Sequence, residues 1–323
     1  MSTILYDIVA SVMMNGPART LTYPGGVMCQ RRTKVVTPDQ YRLPYELVEL
    51  VTCDNVQLTA YSIVQQARKI ERFPGERGPE YIVSPSQATI CDDRSQSMQD
   101  PRQRPTVLFL HGNSGNIGDR LPFAYSFYKK MSCNVFLLEY RGYGSSQGRP
   151  SEAGIQIDAE TAFQYIKSHP VLGHTKLFVY GESFGGAVAI DLAARHPGEI
   201  DALICANTFL SLRKVISQYY TRVSGFMNML NSEVWDCESK LPLIPTSIPM
   251  LFLSGLKDEL VPPAHMRRLY EIACRDGEER KTWWTSAYGD HNSTFLEGTY
   301  WSAVQKFVSK WSGDDEITRG CCS

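Results

Sequence analysis

The strongest chemical signal in the chain is Gly181-Glu182-Ser183-Phe184-Gly185-Gly186. A serine hydroxyl is a weak nucleophile until a base takes its proton. It must also stand clear of the main chain, and a sharp strand-to-helix turn achieves this by straining the backbone at the serine. Side chains two residues to either side would collide in such a turn, which accounts for Gly181 and Gly185. The turn also aims the hydroxyl at a helix N-terminus, whose partial positive charge favours a developing oxyanion. Alone, the string is a glycine-rich connection. Between a strand and a helix it reads as a nucleophile.

Six histidines are candidates for the base. His169, His174 and His196 flank helix ends and strand starts, where capping or solvation is the ordinary role. His111 precedes Ser183, and His265 opens a helix only seven residues after Asp258. A serine on this kind of turn is followed in chain order by its acid and then its histidine. His291, in Gly289-Asp290-His291-Asn292, fits that order and lies after the last strand. The acid belongs after the strand at 250–254, where the chain reads Gly255-Leu256-Lys257-Asp258-Glu259. Asp258 is preferred and Glu259 is the alternative, since only one carboxylate can orient the imidazole. Asp290 adjoins His291, but adjacent side chains diverge. An oxyanion needs two backbone N–H donors. One is expected from Phe184. The other is expected from the loop His111-Gly112-Asn113-Ser114-Gly115-Asn116, at Asn113 or else Ser114, with His111 as a buttress.

These residues need a scaffold, and the hydropathy pattern supplies one. Two strands at 45–52 and 56–64 meet at a turn, Asp54-Asn55. Strands are then expected at 106–110, 134–138, 176–180, 202–205, 250–254 and 281–287. Helices are expected at 117–131, 152–169, 184–195, 267–273 and 301–311. In the second of these, Ala159, Ala162, Phe163 and Ile166 share one face. Strands alternating with helices predict an α/β fold with a parallel sheet covered on both sides. Residues 1–44 are irregular, 67–104 form a polar, Pro-rich surface insertion, and 313–323 are a polar tail. The excursion at 207–247 interrupts the alternation and reads as a helical cap. Its apolar residues, including Phe209, Leu210, Met227 and Met229, are expected to line an acyl-binding groove.

Composition narrows the function. The chain has 323 residues, 43% of them hydrophobic, enough for a large core. Lys and Arg number 33 against 34 Asp and Glu. No basic excess exists to hold a phosphate backbone or an anionic membrane, so nucleic acid is a poor partner. Nine scattered cysteines with no CxxC pair suggest core thiols in a reducing, cytoplasmic setting and no metal. The apolar run at 4–14 is shorter than the roughly 20 residues a spanning helix needs, and it lacks a basic start. It reads as a helical turn packed on the domain, with a short interfacial helix as the alternative. The tail Gly320-Cys321-Cys322-Ser323 offers two exposed thiols, either idle or lipidated. Lipidation there would give peripheral membrane contact, since two chains anchor where one does not.

In five ordered strings the sequence resembles the α/β-hydrolase superfamily, and most closely its bud-emergence (Bem-like) and α/β-hydrolase domain-containing 13-like groups. The strings are 109–118, 138–144 (Leu-Glu-Tyr-Arg-Gly-Tyr-Gly), 181–189, 207–211 and 253–258. The resemblance spans 45–311. It implies a membrane-associated acyl hydrolase without cofactor, related to enzymes that remove palmitate from protein cysteines. Members usually carry an N-terminal anchor, which residues 1–44 do not supply, and they lack much of the 67–104 insertion. The expected activity is hydrolysis of ester or thioester bonds in an acylated protein or a lipid. A serine peptidase and a non-catalytic polarity scaffold are the alternatives. The first lacks a charged specificity pocket, and the second has no use for a complete, correctly ordered triad.

Overall fold

A computed structural model describes residues 35–66, 100–219, 233–277 and 279–313. Eight strands make one sheet: β1 (Glu46–Val51), β2 (Gln57–Ile63), β3 (Thr106–Leu110), β4 (Asn134–Leu138), β5 (Leu177–Glu182), β6 (Ala202–Ala206), β7 (Met250–Gly255) and β8 (Lys281–Ser286). Their order is β1-β2-β4-β3-β5-β6-β7-β8, with β1 and β2 antiparallel and all later strands parallel. The parallel strands therefore end along one edge, where their connecting turns gather.

The helices are α1 (Leu121–Tyr125), α2 (Glu152–Ser168), α3 (Phe184–Arg195), α4 (Leu212–Tyr219), α5 (Cys237–Lys240), α6 (Pro263–Ala273) and α7 (Gly298–Ser312). The central strands are apolar at every position because both faces of the sheet are covered. Leu108, Leu110 and Val179 join the core under α2 and α3, while Val107, Phe109 and Tyr180 join the core under α1 and α7. This alternation is the two-residue period of a strand expressed in two separate cores.

Local chemistry adjusts the expected elements. The helix expected at 117–131 is a 3-10 turn (Ile117–Arg120), then α1, then one π turn (Ser126–Lys130). Asn116 and Asp119 form a reciprocal capping box on the first turn, and Pro122 enters the next. A continuous α-helix would need the N–H that Pro122 lacks. The helix expected from 267 begins at Pro263, four residues earlier, because proline suits a first helical turn. The end of the polar insertion is packed: Pro101–Gln103 is a 3-10 turn, and Asn134 Nδ2 donates to Pro101 O and Arg104 O at 3.0 and 3.2 Å. Residues 67–99, most of the N-terminal segment, the cap between 220 and 232 and the Cys321-Cys322 tail lie outside the described residues.

Candidate active site

β5 ends at Glu182 and α3 begins at Phe184, leaving Ser183 alone between them at φ 50°, ψ −116°. Few non-glycine residues adopt a positive φ, and strain of this kind persists only where the surroundings enforce it. They do so here. A Cβ on Gly181 would lie 2.3 Å from Gly185 O, and one on Gly185 would lie 2.0 Å from Leu110 O. Ser183 N donates to Ala206 O at 2.7 Å, and the Thr208 hydroxyl donates to Ser183 O at 2.6 Å.

Two loops from neighbouring strands meet this turn. His291, beyond β8, places Nε2 2.8 Å from Ser183 Oγ, while its Nδ1 lies 2.7 Å from Asp258 Oδ2. A carboxylate oxygen accepts, so Nδ1 carries the proton and Nε2 is free to accept from the serine hydroxyl. Asp258 is buried, and its Oδ1 accepts from Leu260 N and Val261 N at 2.9 and 2.7 Å. Those bonds fix its plane. Glu259, the other acid candidate, is exposed. Asp290 accepts from the main-chain N–H groups of Asn292 and Ser293 and shapes the turn after His291. Its hydrogen bonds, the Ser293 hydroxyl first, hold its carboxyl below the usual range.

The loop after β3 lies against the same edge. Gly112 N donates to Glu182 Oε1 at 3.2 Å, and Glu182 pairs with Arg120 at 2.6 Å. Arg120 in turn donates to Ser114 O at 3.0 Å, and the Tyr143 hydroxyl donates to Asn113 Oδ1 at 2.6 Å. Asn113 is half-buried and Ser114 exposed. His111 is fully buried beneath them. Its Nδ1 donates to Gly112 O at 2.7 Å, and its ring lies 4.3 Å from that of Tyr140. The buttressing position expected of His111 is therefore the one it occupies. Phe184 opens α3, and its ring meets Trp235 edge to face at 5.0 Å.

The cap residues divide. Phe209 and Leu210 are 4% and 8% exposed and belong to the core with Trp235 and Leu241. Their side chains are core packing and do not form an exposed groove wall. Met227 and Met229 lie outside the described residues. His265 ties the start of the cap to α6, because Leu210 N donates to its Nδ1 at 3.2 Å. Burial holds that imidazole below its usual range, which keeps Nδ1 available to accept. Glu182, Arg120, Tyr143, Asn207 and Trp235 were not singled out by spacing, since each acts through a partner 20 or more residues away.

Comparison with known proteins matches residues 105–230 to the model of the alpha/beta hydrolase fold family. Protein bem46 of Schizosaccharomyces pombe is 34% identical over 310 residues, covering 96% of this chain and 92% of that protein. The chain belongs to the α/β-hydrolase family. An uncharacterized membrane protein of Saccharomyces cerevisiae is 33% identical over 89% of this α/β-hydrolase and 87% of its own length. Among the described residues no helix is long and apolar enough to cross a membrane. Among solved structures, an esterase of Pyrococcus furiosus has a TM-score of 0.63 at 20% identity, covering 86% of this chain and 96% of that one. That likeness speaks to the fold.

Proposed function

We propose that this α/β-hydrolase is a serine hydrolase that cleaves ester or thioester acyl bonds. The observation that carries the reading is the continuous path from Ser183 Oγ through His291 to Asp258 at 2.8 and 2.7 Å. His291 Nε2 takes the serine proton as Oγ attacks the carbonyl carbon. Asp258 holds the tautomer and stabilises the imidazolium that forms. The N–H groups of Phe184 and Asn113 receive the oxyanion. The imidazolium returns its proton to the departing alcohol or thiol, and water then releases the acyl group by the same steps in reverse.

The acyl group is a fatty chain, carried by a protein cysteine or a lipid. Support comes from the rim: Leu256, Tyr288 and Leu296 are 50%, 75% and 72% exposed on the turns that bear Asp258 and His291. Exposed apolar side chains beside the reacting serine and histidine suit an apolar acyl chain. The enzyme then works in the cytoplasm with peripheral membrane contact, which lipidation of Cys321 and Cys322 would provide. Hydrolysis of acyl esters and thioesters of graded length tests the assignment. Each buried methylene is worth about 0.8 kcal/mol, so kcat/KM should rise by up to about 15-fold per two carbons until added carbons are no longer buried. Activity that peaks at acetyl or butyryl esters rejects the fatty-acyl assignment.

A further inference from the structure

The three turns of the site converge on Asn207. It is the first residue beyond β6, it is buried, and its backbone is left-handed at φ 46°. Asparagine tolerates that conformation better than most residues. Its Oδ1 accepts from Gly255 N at 2.9 Å, at the tip of β7 and three residues before Asp258. Its Nδ2 donates to His291 O at 3.2 Å and to Thr294 Oγ1 at 3.0 Å, with Asp290 O at 3.4 Å. Its main-chain N donates to Leu253 O at 2.9 Å. The residues on either side hold the third turn, since Ala206 O and the Thr208 hydroxyl bond the backbone of Ser183. The β7 tip and the His291 loop are closely packed here. A Cβ on Gly255 would meet Thr294 Oγ1 at 2.3 Å and Gly289 O at 2.5 Å.

We infer that Asn207 is a positioning residue whose amide sets the separation of the Asp258 and His291 turns, keeping the imidazole between its carboxylate and Ser183. The inference rests on the serine-hydrolase reading above. A primary amide offers an acceptor on one side and donors on the other, which is what the two turns require of it. Aspartate would keep the acceptor for Gly255 N but set a carboxylate oxygen against the carbonyls of Asp290 and His291. Glycine would keep the left-handed backbone and leave both turns without the bridge.

The test is single-turnover labelling of Asn207→Gly and Asn207→Asp by a fluorophosphonate, with steady-state ester hydrolysis and thermal unfolding alongside. Labelling should still reach full stoichiometry. The labelling rate constant and kcat should fall about 100-fold, the scale of loss for a misplacement near 1 Å. KM should stay within about threefold of wild type, as expected when only transition-state geometry is lost. If both variants label at the wild-type rate per active molecule, and only unfold at lower temperature, Asn207 is merely structural and the inference is overturned. Should neither variant fold, Thr294→Val removes the hydroxyl that shares the Asn207 amide. A lowered labelling rate constant then supports the bridge, and an unchanged one overturns it. Wild-type protein that neither labels nor hydrolyses defeats the serine-hydrolase reading itself, and this inference with it.

Discussion

Asp158 and Asp258 are both buried carboxylates close to the tip of a strand, and each meets a nitrogen base at 2.7 to 2.8 Å. At the tip of β4 the partner is Arg141. Its main-chain N and Nε bond Asp158, and its two terminal nitrogens bond Asp54 at 2.7 and 2.9 Å. Every strong donor there has a fixed acceptor, and a guanidinium does not release its proton in water. At the tip of β7 the partner is an imidazole. One nitrogen is held by Asp258 and the other faces a hydroxyl, so a proton has somewhere to go. Similar distances therefore serve different ends: the first region ties the β1–β2 turn to α2, and the second sets one imidazole nitrogen against the Ser183 hydroxyl.

Mutation should break the two regions in different ways. The largest effect belongs to the second. Ser183→Ala and His291→Ala should each lower kcat by about 10⁶-fold, and Asp258→Asn by about 10⁴-fold, with the fold intact by circular dichroism. Glu259→Gln should stay within about threefold of wild type, since its side chain is exposed. A damaging Glu259→Gln beside a harmless Asp258→Asn would move the acid. Arg141→Met should act on stability alone, because it strands the buried Asp158 carboxylate, whereas the exposed Asp54 stays hydrated. Denaturant titration should find a loss of about 3 to 5 kcal/mol, with kcat per folded molecule unchanged.

Gly185→Ala comes next. Its Cβ would overlap the main-chain oxygen of Leu110, which cannot swing away as a side chain can. A loss of about 3 kcal/mol is expected by the same titration, and a silent change would mean the elbow is looser than its contacts imply. The smallest effect is a pH dependence. Burial, opposed by Arg141, pushes the Asp158 carboxyl up to about 6. A folded pKa above the unfolded one means the native state binds the extra proton, so stability from this group falls as pH rises from about 4 to about 6. The Tm of wild type should therefore drop relative to Asp158→Asn across that window. Parallel curves would show that Arg141 outweighs burial.

Much of this was legible in the sequence, for identifiable reasons. Each strand of the parallel sheet is a short apolar run closed by polar or turn residues, so its placement needed no long-range information. Ser183 was readable because Gly181 and Gly185 answer a purely local steric demand. His291 and Asp258 are read from chain order, with Asp258 preferred over Glu259, but which of the two carboxylates is buried is a matter of side-chain direction. The backbone bonds of Leu260 and Val261 decide that, and spacing alone does not. Asn207 was not legible as a positioning residue, since its role appears only when the ends of β5, β6, β7 and β8 stand side by side. The broken helix at 117–130 was missed for the opposite reason. Its apolar spacing was helical, and the Asn116–Asp119 capping box and Pro122 overrode it within one turn.

The most direct test of the central claim is to locate the adduct of a fluorophosphonate probe by peptide mass mapping in wild type and Ser183→Ala. The account predicts one probe per chain, attached at Ser183, and no adduct in the variant. An adduct on another residue, persisting in Ser183→Ala, or a wild-type protein that takes up no probe at all, would contradict it.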